Sequence, residues 1–164
     1  MRNLHLWSMS SAALALALAV GACGDPDPAP TVEIRAAAPS MLVPSDDTRD
    51  DLMITVGYTD ADADLGMGSA AVVDCRADGL VTTLPIPAIA SQEAIDEGVP
   101  IRGELVLNVN DVGAIAPATT APAACAELGV GPPAIGVAIF CVTLTDAAGH
   151  TGPGACTDPI AIAP

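Results

Sequence analysis

The sequence predicts an all-β protein, a two-sheet β-sandwich of about seven short strands that follows an N-terminal signal peptide. Three observations predict it. Short apolar segments alternate with turn residues from Thr31 to the end of the chain. Helical signal is confined to two brief stretches. An even number of cysteines follows an export signal, the setting in which disulfides form and persist.

Strands are expected at Val32–Ala37, Leu52–Thr59, Ala70–Arg76, Val81–Ile86, Arg102–Val109, Ala134–Thr145 and Pro159–Ile162. Alternation is clearest from Leu105 to Val109 and from Phe140 to Thr145, where every second residue is apolar and faces one side of the pleat. Pro39, Pro44, Pro85, Pro87, Pro100, Pro132 and Pro133 mark the gaps, where a missing N–H costs no ladder bond. The two short helices are expected in connections. One runs from Ser91 to Gly98 with Ser91 as cap, the other from Thr120 to Gly129 with Pro122 in its first turn and Gly129 as its stop.

The chain begins with a short region carrying Arg2 and His5, an apolar run from Ala12 to Val20, and small residues leading to a cysteine. This is the layout of a secretory signal. The turn-forming stretch Gly24-Asp25-Pro26-Asp27-Pro28 closes the apolar window short of the roughly 20 residues a membrane-spanning helix needs. The tetrad Val20-Gly21-Ala22-Cys23 resembles the lipobox of bacterial lipoproteins. That resemblance implies cleavage after residue 22 and acylation of Cys23, which then holds the mature protein to a lipid bilayer. Residues 23–31 read as the lipidated cysteine and a Pro- and Asp-rich tether, and residues 32–164 as one domain. The family's retention signal for the inner membrane is an Asp after the cysteine. Gly24 stands there, which points to the outer membrane of a double-membraned cell.

All 20 acidic residues lie beyond the signal, against Arg35, Arg49, Arg76 and Arg102 and no lysine, a net charge of −16 for the mature chain. Such a surface repels phosphate backbones, so nucleic acid is excluded as a partner. The mature chain has one tyrosine, one phenylalanine and no tryptophan, so its core is built from Val, Ile, Leu and Ala. A core so poor in large side chains gains from covalent staples. Cys75, Cys125, Cys141 and Cys156 are separated by 50, 16 and 15 residues, without the close pairs that zinc sites use. They are expected to form two disulfides, in any of three pairings.

The segment Val142-Thr143-Leu144-Thr145-Asp146-Ala147-Ala148-Gly149-His150-Thr151 resembles the closing hairpin of bacterial immunoglobulin-like and PKD-like domains, with His150 where Asn is usual. The run Tyr58-Thr59-Asp60-Ala61-Asp62-Ala63-Asp64-Leu65-Gly66 resembles the Asp-rich turn after an early strand in the same group. The resemblance implies an immunoglobulin-like sandwich in which Phe140, Val142 and Leu144 point inward and Cys141 outward. Cys141 would then bond a cysteine on a neighbouring strand, Cys75 or Cys156. It also puts the 60–66 and 146–150 loops at the same end of the domain.

Asp60, Asp62 and Asp64 are spaced so that, in extended backbone, their carboxylates point one way and converge on a hard cation. Calcium suits such oxygen ligands, and Asp146 would join them from the second loop. An EF-hand does not fit, since Gly66 falls at the seventh loop position and Ala71 stands where a bidentate Glu is required. The competing reading is a solvated acidic turn in which each Asp bonds nearby amides. Enzyme motifs are absent: there is no G-x-S-x-G elbow, no P-loop and, after export, one histidine, His150. No catalytic residue and no cofactor other than calcium is assigned. The expected function is a non-catalytic binding or structural module at the cell envelope, with an envelope protein or glycan as partner. A calcium-dependent adhesion or sensing domain is the alternative, and an envelope hydrolase acting through His150 the third.

Overall fold

Along Leu52–Asp60 the side chains of Leu52, Ile54 and Val56 fall on one side of the backbone, and all three are shut off from solvent. That half-buried pattern is repeated along the chain, and it fixes how the strands pair. The structure is a computed structural model that describes residues 29–44, 50–78, 80–113, 115 and 117–164. The expected signal segment, Cys23 and the expected tether as far as Pro28 lie outside the described residues.

The fold is all-β, and the described residues form ten strand segments and two single-turn helices in the order β1 (Thr31–Ala38), β2 (Met41–Leu42), β3 (Leu52–Asp60), β4 (Ser69–Asp74), β5 (Val81–Pro85), α1 (Gln92–Asp96), β6 (Ile101–Val109), α2 (Ala123–Glu127), β7 (Val137–Ala138), β8 (Phe140–Thr145), β9 (Ala155–Cys156) and β10 (Ile160–Ile162). They form three sheets: β1-β3-β6, antiparallel throughout; β5-β4-β8-β9, also antiparallel; and the small β2-β10-β7, in which β10 runs parallel to β2. One apolar core joins all three. It takes Leu52, Ile54, Val56, Leu107 and Val109 from the first sheet, Ala70, Val72, Phe140, Val142 and Leu144 from the second, and Leu42, Ala138 and Ile160 from the third. Residues of this core are mostly aliphatic, as the composition requires.

Both helices lie within the stretches expected of them, although α2 begins at Ala123 and Pro122 is its N-cap rather than part of its first turn. The Ser91 hydroxyl accepts from the Ala94 N–H at 3.2 Å, and Gly98 leaves α1 at φ 59°. Gly129 stops α2 at φ 77°.

Three differences from the expected strands have physical causes. The segment 134–145 is not one strand. The chain breaks at Ile139, so that β7 pairs with β10 while β8 pairs with β4 and β9. Its apolar run is continuous through that point, so alternation alone shows no break. The strand expected to run to Arg76 stops at Asp74, because Cys75 and Arg76 form a turn. The strand expected from Pro159 begins at Ile160, since proline has no N–H to give the ladder.

Cys141 faces away from the main core, opposite Phe140, Val142 and Leu144. It is nevertheless buried, in a second small cluster with Val73, Cys75 and Cys125 that Ala121, Leu128 and Val130 around α2 cover. Cys141 is bonded to Cys156 on the neighbouring strand, and Cys75 to Cys125 on α2. The outer face of the β4-β8 sheet is thus covered by a helix tied down covalently.

Candidate metal centre

At the end of β3 the chain leaves the sheet at Asp60 and passes through Asp62 and Asp64 before Leu65 buries its side chain completely and anchors the loop. Leu65 donates its N–H to Asp60 Oδ2 at 2.9 Å, closing the turn on itself. The loop returns through Gly68, where any Cβ would sit 2.1 Å from the Thr145 carbonyl oxygen. Only glycine tolerates that approach, and it presses the loop against the end of β8.

The residues after β8 complete the site. Asp146 is 3% exposed and takes the N–H of His150 on Oδ1 at 2.8 Å, while His150 Nδ1 lies 3.0 Å from Oδ2. Gly149 adopts φ 95°, as the turn expected from its sequence requires. Backbone bonds join the two loops: Ala147 N–H donates to the Asp64 carbonyl at 3.1 Å and Ala148 N–H to Asp64 Oδ2 at 3.2 Å.

The loops therefore share one end of the molecule, and one carboxylate oxygen from each of Asp60, Asp62, Asp64 and Asp146 lies within 4.8 Å of the others. Asp60 is 2% exposed, and the Oδ1 atoms of Asp60, Asp62 and Asp64 are buried without a hydrogen-bond partner among the described residues. A buried unpaired carboxylate oxygen is costly, because water has been removed and nothing has replaced it. Here three belong to one carboxylate cluster.

The electrostatics agree with the geometry. Burial, then the charges of Asp146, Asp62 and Asp60, push the Asp64 carboxyl up to about 6 from an ordinary 3.8. Burial also raises Asp60, with Asp62 and Asp146 adding to it and the Leu65 N–H opposing. Tyr58 is raised by burial and then by the charge of Asp60. Four like charges without a cation are unfavourable at neutral pH, and a divalent cation reverses the sign of every one of these interactions. The donor set is all oxygen and irregular, which fits calcium rather than a metal that favours nitrogen or sulfur.

His150 touches the site only through Asp146. Its side chain is 47% exposed, and no hydroxyl or thiol among the described residues is bonded to its Nε2. The imidazole is therefore placed to orient Asp146. No helix among the described residues is long and apolar enough to cross a membrane.

Two features at the opposite end escaped the sequence reading. Arg76, 1% exposed, forms an ion pair with Asp74 at 2.6 Å and donates to the carbonyls of Val112 at 2.8 Å and Gly113 at 2.9 Å. Asp50, Asp51 and Asp111 form a further carboxylate group there. The Asp-x-Arg spacing signals a local pair, but nothing in the sequence signals its burial.

Comparison with protein-family models, with curated proteins and with solved structures found no match.

Proposed function

We propose that this protein is a calcium-binding, non-catalytic module anchored by lipid to a bacterial cell envelope. The observation that carries the reading is the convergence of Asp60, Asp62, Asp64 and Asp146 with three buried, unpartnered oxygens. In this reading the domain is an immunoglobulin-like sandwich. What supports that finer description is the single core shared by the β1-β3-β6 and β5-β4-β8-β9 sheets, with both Asp-bearing loops at one end.

The anchor rests on the Val20-Gly21-Ala22-Cys23 tetrad, and two disulfides suit the oxidising compartment to which a lipoprotein is exported. Calcium would fix the two loops relative to each other and turn a self-repelling acidic surface into an ordered one. That surface would face an envelope protein or glycan, beyond a tether that keeps it clear of the bilayer. A Gly after the cysteine favours the outer membrane.

The test is thermal melting of the protein at neutral pH in EDTA and in rising calcium. At a calcium concentration a hundredfold above Kd, stabilisation is about 2.7 kcal/mol. For a domain of this size that raises Tm on the order of 10 °C. A melting temperature unmoved by millimolar calcium ends the metal assignment. Mass spectrometry of the N-terminus tests the anchor separately: an unprocessed, unmodified chain overturns it.

A further inference from the structure

β3 carries acidic residues at both of its ends. Beyond its last residue lies the centre described above; immediately before its first residue stand Asp50 and Asp51. β6 runs antiparallel to β3 with Val109 opposite Leu52, so the chain after β6 returns to the same place and delivers Asp111. One carboxylate oxygen from each of Asp50, Asp51 and Asp111 lies within 4.8 Å of the other two.

This group is built into the fold. Asp50 is 2% exposed. Its backbone carbonyl accepts from Val112 N–H at 3.4 Å and its Oδ2 from Gly113 N–H at 3.2 Å. Asp51 Oδ1 accepts from Asp111 N–H at 3.2 Å, which holds the two segments in register. Arg76 grips the carbonyls of Val112 and Gly113 from the other side, and its own charge is taken up by Asp74. No ion pair neutralises Asp50, Asp51 or Asp111 among the described residues. Asp50 Oδ1 is left buried and without a hydrogen-bond partner among the described residues, on a side chain that belongs to the three-carboxylate group. Asp111 is exposed and lines a cleft of about 200 Å³ with Asp74, Val109 and Phe140, so the group is open to solvent at Asp111.

We propose that Asp50, Asp51 and Asp111 form a second site for a hard divalent cation, calcium, at the end of the domain opposite the first. A buried, unpartnered oxygen at Asp50 suits a small desolvated cation better than the bulky ammonium or guanidinium of a partner. The nine residues of β3 separate the sites by about 30 Å at 3.3 Å per residue. At that distance the two act independently.

The experiment is calorimetric titration of the full chain, stripped with EDTA, with calcium chloride. The titration extends to about 10 mM, beyond the ~10⁻³ M upper range of extracellular calcium modules. Two ions per chain are expected. Asp50→Asn keeps the size of the side chain and an acceptor for Gly113 N–H, and it reduces the count to one. Asp111→Asn, an exposed substitution that leaves the fold alone, does the same. Asp60→Asn also leaves one ion, and Asp50→Asn/Asp60→Asn none. One ion in the wild type, lost in Asp60→Asn and kept in Asp50→Asn and Asp111→Asn, overturns the second site and leaves the first standing. One ion with the opposite dependence supports the second and removes the first. No binding by the wild type overturns both.

Discussion

Asp60 and Asp146 close strands of different sheets, β3 and β8, yet their carboxylates meet within 4.8 Å, both almost fully buried. Two buried carboxylates at that separation repel one another across a region from which water is largely excluded. The contact joins the two sheets at one end, and its sign depends on what stands between the oxygens.

Neutralising one member should therefore separate the stability of the calcium-free protein from its response to calcium. Asp60→Asn removes a charge while keeping an oxygen to accept from Leu65 N–H. In EDTA its melting temperature is expected to equal or exceed that of the wild type, because repulsion with Asp62 and Asp146 is relieved. In calcium the order reverses, and the variant loses most of the calcium-induced rise. Differential scanning calorimetry in both conditions checks this. A variant that melts lower than wild type in EDTA but keeps the full calcium response would show that Asp60 is an ordinary capping residue.

The pH dependence follows from the same cluster. Without calcium, Asp64 binds its proton more tightly folded, at about 6, than unfolded, at 3.8. The native state then holds more protons than the unfolded one between those values. The stabilisation is complete below the unfolded value and is lost as pH rises toward and through about 6. The raised Asp60 acts in the same direction. Melting in EDTA is expected to fall from pH 4.5 to 7 on this account. Calcium competes with those protons, so its affinity weakens as pH drops below about 6 and binding there releases protons. Titrating in two buffers of different ionisation enthalpy measures the release directly. Equal affinity at pH 5 and pH 7.5 would contradict it.

Much of this was legible in the sequence, and the reasons it was legible are local. Alternation placed β3, β6 and β8, and the cap residues Ser91, Gly98 and Gly129 placed both helices, because each signal acts within a few residues. The spacing of Asp60, Asp62 and Asp64 is visible in one loop, and Asp146 joined them once the two turns were assigned to one end of a sandwich. What stayed hidden depends on contacts distant in the chain. The break at Ile139 is a change of partner strand within an unbroken apolar run. The burial of Arg76 comes from the 112–113 loop crossing over it. Asp50, Asp51 and Asp111 are joined by the antiparallel return of β6. The choice among three disulfide pairings depends on where α2 lies.

The two disulfides should contribute unequally. In the chain-entropy account, closing a loop of 50 residues at Cys75–Cys125 stabilises by about 4 kcal/mol, and one of 15 at Cys141–Cys156 by about 3. The first also holds α2 over the small second cluster. Cys75→Ala/Cys125→Ala is therefore expected to lower stability more than Cys141→Ala/Cys156→Ala, each by a large part of the roughly 5–15 kcal/mol of an ordinary domain. Sulfurs of the two bridges also touch, Cys75 Sγ lying 3.4 Å from Cys141 Sγ. In Cys125→Ala the freed Cys75 thiolate attacks Cys141 Sγ, forming Cys75–Cys141 and releasing Cys156 as the leaving thiolate. Non-reducing peptide mapping should recover that exchanged pair. Recovery of Cys141–Cys156 alone would show the contact to be unreactive.

Arg76 makes the sharpest prediction about stability. Its guanidinium is buried, bidentate to Asp74 through Nε and a terminal nitrogen, and bonded to two carbonyls of the 112–113 loop. A buried pair of this kind has little net value against an apolar replacement of both partners, but losing one partner strands the other. Arg76→Met leaves the Asp74 carboxylate, 9% exposed, without its cation and two carbonyls without a donor, a loss of about 3–5 kcal/mol. Lysine restores the charge but not the planar fork, so Arg76→Lys should recover only part of it. Adding Asp74→Leu to Arg76→Met should recover more, because the stranded charge is gone. Urea denaturation of the four proteins gives the comparison. If Arg76→Met lies within about 0.5 kcal/mol of wild type, the range of an ordinary surface substitution, the pair is not holding the loop that carries Val112 and Gly113.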